Sequence, residues 1–174
     1  MPWSDEIGSA EAGVPPDSTG KGDYDEIAAT LRMFASLARR VRSLTPDNLH
    51  AYRTRCKRIR YVAEMAGSRP ETRRVVEPLK RIQDAVGEWH DWLTLTQTAE
   101  ALFSRPLESG LVAALRNVTN AKFVEARRVC QEERRGLMAQ YRAMLAEKRR
   151  QRTLVMALRK AVAAAAGVAR TEVA

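Results

Sequence analysis

The chain has 174 residues, 45% of them apolar, which is enough for one domain with its own core. Thirty Lys and Arg stand against 21 Asp and Glu, a net charge of +9, while aromatics make up only 6%. The longest apolar tract, residues 154–169, is broken by Arg159 and Lys160 and is too short and alanine-rich to span a bilayer, and two distant cysteines without a C-x-x-C pattern exclude a disulfide framework.

Residues 1–22 mix Pro, Gly, Ser and acids without periodicity, the composition of a disordered acidic arm. Residues 1–26 hold seven acids and one base, net −6, which leaves +15 for the remainder. Asp23 and Glu26 form a D-x-x-E arrangement that predicts the start of a first helix, along which Ile27, Leu31, Phe34, Ala38 and Val41 recur on one face. Thr45 as N-cap, Pro46 in the first helical position and Asp47 in the first turn predict a second helix from 46 to about 66, stopped by Gly67. A third helical region follows residues 67–71. Within it Pro78 is expected to separate a lead-in turn from a segment faced by Leu79, Ile82, Val86, Trp89 and Leu93, with Gly87 a candidate bend. After a loop at 104–110, Leu111, Leu115 and Val118 open a fourth helix, in which Gly136 is a candidate interruption before Leu137, Met138, Tyr141, Met144 and Leu145. Residues 150–174 read as a basic, alanine-rich tail, helical or frayed. With no convincing strand and no internal repeat, the expected fold is all-α: an antiparallel four-helix bundle over 23–149, flanked by the arm and the tail.

The second helix carries an unusual density of cations. At 100° per residue His50, Arg53, Thr54, Lys57 and Tyr61 share an arc of about 100°, while Tyr52, Cys56, Ile59, Ala63 and Ala66 gather on the other side. Arg58 and Arg60 flank the cationic stripe, and Arg55 falls at the edge of the apolar face. From His50 to Arg60 the row is about 15 Å long, enough to track several phosphates. Most charged helix faces are simply solvated, but this one lacks the interspersed acids of a salt-bridged surface: between Asp47 and Glu71 it has Glu64 alone, placed to pair with Arg60. Arginine supplies 24 of the 30 basic residues, and its planar fork suits phosphate oxygens. Lys80, Asp84, Asp91 and Thr98 form a sparser polar line on the third helix. Asp91 is a candidate to orient Arg53 or Lys57, and His90 reads equally as a core histidine. His50, Glu64, His90 and Asp91 lack the spacing that places two metal ligands on one face, so no metal and no cofactor is expected.

Two segments resemble the CHAD domain family. Residues 49–65, LHAYRTRCKRIRYVAEM, are similar to that family's H-x-x-R-x-x-x-K-R-x-R-Y block, and LKRIQDAVGEWHD at 79–91 is similar to its L-x-x-x-Q-x-x-L-G-x-x-x-D block, with Val86 in place of the second leucine. The resemblance covers about 25–145, less securely beyond 105. It implies a helical protein that binds inorganic polyphosphate through His50, Arg53, Lys57, Arg58 and Arg60, with Lys80 as an addition from the next helix and Asp91 in a structural, orienting part. The chain holds one copy of the two-block pattern where the family commonly has two facing halves. It therefore resembles a C-terminal-type half, and a homodimer could rebuild the shared cavity. The E-x-E-x-K motif of the triphosphatase domain that often accompanies this family is absent, so hydrolase activity does not carry over. The expectation is a non-catalytic cytoplasmic polyphosphate binder, near polyphosphate granules where these exist. An RNA- or DNA-binding module is the rival, weakened by the scarcity of aromatics beside the stripe. A metal-dependent phosphohydrolase is a further alternative, for which the polar line offers only Asp84 and Asp91.

Overall fold

The computed structural model describes residues 19–67, 69–103 and 109–171, with side chains described between 26 and 163. The described residues form four helices and no strand: α1 (Thr19–Arg40), α2 (Pro46–Met65), α3 (Pro70–Leu102) and α4 (Gly110–Thr171). Short connections fold the chain back on itself, and each helix packs on the next, with α4 closing against α1. No helix among the described residues is long and apolar enough to cross a membrane.

The expected boundaries hold best where chemistry marks them. Thr45 is the N-cap of α2 in extended conformation, its N–H donates to Asn48 Oδ1 at 3.0 Å, and Pro46 and Asp47 occupy the first turn. At the other end Gly67 adopts φ 83°, the left-handed conformation that lets its N–H reach back to the Glu64 carbonyl at 3.2 Å. Helix α1, by contrast, begins at Thr19, so Asp23 and Glu26 lie inside it rather than at its cap. Once Ala28, Leu31 and Phe34 are anchored in the core, each residue added upstream gains a backbone bond without a new nucleation cost. The expected arm lies outside the described residues as far as residue 18.

Two expected breaks do not occur. Helix α3 runs unbroken through Pro78, which is itself buried. A proline deprives the carbonyl four residues earlier of its donor, and here that carbonyl, of Arg74, accepts instead from Gln140 Nε2 of α4 at 3.0 Å. Gly136 likewise sits within continuous helix, next to the fully buried Leu137, because packing on both sides outweighs the weak helix preference of one glycine.

The core joins all four helices. Phe34 of α1, Leu49, Tyr52 and Cys56 of α2, Leu79, Ile82 and Val86 of α3, and Ala126, Cys130 and Leu137 of α4 are buried together. Each large apolar side chain removed from water stabilises the fold by about 1.5–3 kcal/mol before entropy. Polar ties fix the α3–α4 register: the buried hydroxyls of Thr96 and Thr119 meet at 2.7 Å, and Arg81 grips Glu133 through both carboxylate oxygens, at 2.5 and 3.0 Å. At 62 residues α4 is about 93 Å long against about 50 Å for α3, so its distal part outruns the bundle, and its side chains from Ala146 to residue 163 are all exposed.

Candidate functional site

Burying Leu49, Tyr52, Cys56, Ile59 and Ala63 on one side of α2 sets the opposite face of that helix toward solvent and toward its seam with α3. Along this seam the structure gathers His50, Arg53, Lys57 and Arg60. Arg53 is half-buried: its Nε donates to the Gln83 carbonyl at 3.1 Å, and its guanidinium passes within 3.4 Å of where a Cβ on Gly87 would stand. Gly87 is thus no bend. It is the position on α3 over which the Arg53 guanidinium lies, at ordinary contact distance from where a Cβ would stand.

Arg60 is held by the same residue. Its Nε donates to Gln83 Oε1 at 3.2 Å, while Gln83 Nε2 donates to the Leu79 carbonyl at 3.0 Å. Arg60 also pairs with Glu64, as the spacing predicts. Gln83 is only 7% exposed, and a buried amide must use its hydrogen-bonding groups; here the side chain holds Arg60 while the backbone carbonyl of the same residue holds Arg53. Lys57 is exposed, with Nζ 5.7 Å from the centre of the Tyr61 ring, and Arg60 stands 4.8 Å from the same ring centre. At the far end the ring of His50 lies 4.8 Å from that of His90, whose Nδ1 is buried without a hydrogen-bond partner.

The remaining expected residues fall elsewhere. Arg58 does not join the row. With Arg55 and Arg40 it lines a cavity of about 270 Å3 between α1 and α2, because its azimuth carries it around the solvent side of the helix. Lys80 is exposed and lies seven residues before Gly87, so it projects from the same side of α3. Asp91 is exposed and bonds to neither Arg53 nor Lys57; the backbone of Gln83 does the orienting assigned to it, since an exposed carboxylate stays in water while a half-buried guanidinium takes the nearest free lone pair. Gln83, Gly87 and His90 were not among the expected site residues. The available signal was a glutamine between Leu79, Ile82 and Val86, on a face otherwise apolar.

Electrostatically the seam is one-sided. Among the described residues His50, Lys57 and Lys80 have no carboxylate partner and Arg53 bonds only a carbonyl, so Arg60 alone of the row is paired with an acid. No group of three His, Cys, Asp or Glu among the described residues could hold a metal ion. Neither a curated protein nor a solved structure matches the chain. A CHAD domain is detected over residues 25–100, and it is this segment, carrying both the basic α2 and the α3 surface that receives Arg53 and Arg60, that is CHAD-domain-like.

Proposed function

We propose that the chain binds inorganic polyphosphate, without catalysing its breakdown, along the α2–α3 seam. The observation that carries this reading is that one buried glutamine and a glycine hold Arg53 and Arg60 in a row with His50 and Lys57, against a single acid. Guanidinium groups fixed before binding lose little freedom when a ligand arrives, so more of each charge-assisted bond, about 1.5–3 kcal/mol, remains as affinity. The match of residues 25–100 to the CHAD domain supports the same reading, and a cytoplasmic location belongs to it.

The engagement of Tyr61 by Lys57 and Arg60 favours polyphosphate over nucleic acid, because it occupies the aromatic ring best placed for base stacking. The carboxylates on the adjoining α3 line, Asp84 and Asp91, are exposed and stand seven residues apart, which favours binding over hydrolysis. With one copy of the basic helix per chain, two chains facing each other across a twofold axis would enclose a polymer that one leaves open. The double variant Arg53→Glu/Lys57→Glu is expected to lose retention on immobilised polyphosphate while its far-ultraviolet circular dichroism stays unchanged. Wild-type affinity should also fall steeply with salt as counterions are released. Undiminished retention of the double variant would overturn the site.

A further inference from the structure

The α1–α4 seam lies across the bundle from the α2–α3 seam, since the helices neighbour one another in the cyclic order α1, α2, α3, α4. It holds a cavity of about 700 Å3, within the size range of small-molecule sites, lined by Arg39 in the last turn of α1, Arg42 just beyond it, and Arg134, Arg135 and Arg142 of α4. No carboxylate is among its lining residues.

Arg134 has a structural task. It donates to the carbonyls of Val41, at 2.7 Å, and Ala38, so it caps the end of α1, where helical carbonyls lack partners. The other four arginines are exposed, and among the described residues their guanidinium groups have no hydrogen bond or ion pair, although the Arg42 carbonyl accepts from Arg134 at 3.5 Å. The acids adjacent in sequence are turned elsewhere: Glu132 pairs with Arg128 at 3.1 Å and Glu133 with Arg81 on the α3 side. Four unpaired arginines lining one cavity repel each other, and an anion of high charge density relieves that repulsion. Tetrahedral phosphate oxygens accept arginine forks from several directions at once, and linked phosphates carry several such groups close together.

We propose that this cavity is a second anion site, independent of the α2–α3 seam, that takes a compact oligophosphate through Arg39, Arg42, Arg135 and Arg142. Its ligand is a run of linked phosphates, either a free short chain or the end of a long one.

The test is calorimetric titration of the full chain with inorganic tripolyphosphate, alongside the variants Arg39→Gln/Arg142→Gln and Arg53→Gln/Lys57→Gln. Arg134 is left intact because of its capping role. Wild type should show two sites per chain. The Arg39→Gln/Arg142→Gln variant should weaken one of them by about tenfold or more, equivalent to ~1.4 kcal/mol, and leave the other in place. Should that variant lose its helical dichroism, Arg135→Lys replaces it, keeping the charge and removing the fork, with the same site expected to weaken. Parallel titrations with long-chain polyphosphate separate the sources: loss for tripolyphosphate marks a free short ligand, and loss for the polymer alone marks a chain end. Unchanged binding of both overturns the proposal, as does tighter binding of single-stranded DNA than of tripolyphosphate at this site. Loss confined to Arg53→Gln/Lys57→Gln would uphold the α2–α3 site and overturn this one, and the converse pattern would do the reverse.

Discussion

Cys56 and Cys130 are both fully buried and form no disulfide, and beside Cys56, one turn earlier on α2, lies the buried hydroxyl of Tyr52. Burial disfavours a thiolate and pushes each thiol up from 9.0 to about 12, and burial foremost also raises the Tyr52 phenol. The consequence for stability has a definite sign. Below pH 9 the thiols are protonated in both folded and unfolded chains and cost nothing. As the pH rises from about 9 toward 12 the unfolded chain releases protons that the folded one keeps, so stability falls, by ~1–2 kcal/mol per thiol at about pH 10.5. The urea midpoint should therefore drop between about pH 8 and 10.5 by more in wild type than in Cys56→Ala/Cys130→Ala; equal slopes would assign the loss to other groups. The core role of Cys56 was legible from helical spacing alone. The part played by Gln83 was not, because a glutamine's periodicity tells where it sits and nothing of which side chains will reach it.

At the scale of the element, what matters is how α2 lies on α3. A helix-interior glycine costs about 1 kcal/mol relative to alanine, so Gly87 has a local cost, and the Arg53 guanidinium lies over it. A Cβ there would stand 3.4 Å from a terminal guanidinium nitrogen, in contact without serious overlap. Gly87→Ala should accordingly raise the melting temperature slightly and leave polyphosphate affinity within a few-fold. Gly87→Leu should keep the helix but displace Arg53, lowering retention on polyphosphate to the level of Arg53→Gln; wild-type retention would show that the docked guanidinium is not what organises the seam. Packing between helices explains why a reading of the sequence alone takes Gly87 for a bend and Pro78 for a break. Both residues weaken an isolated helix, and both are compensated from a neighbouring one, Gly87 by Arg53 and Pro78 through Gln140.

Over the whole molecule, part of the basic charge gathers at three seams: His50, Arg53, Lys57 and Arg60 between α2 and α3, Arg40, Arg55 and Arg58 between α1 and α2, and the arginine cavity between α1 and α4. A single stripe on one helix, as spacing suggests, is thus the most ordered part of a wider basic surface. If two copies pair across the α2–α3 seam, mass in solution should approach twice 19.5 kDa when polyphosphate is present. A mass that stays at 19.5 kDa under saturating polyphosphate would leave the seam an open track on a single chain.

The sequence by itself determined that the chain is helical, where α2 starts and stops, which face of it is buried and that the opposite face is basic, because caps and periodicity are local properties. Tertiary structure decided which cations act together. Spacing already turns Arg58 and Arg60 to opposite sides of α2, but only packing against α3 lets the carbonyl and amide of Gln83 select Arg53 and Arg60 from a run of similar charges. Such selection depends on distances between helices, which no spacing within one helix contains.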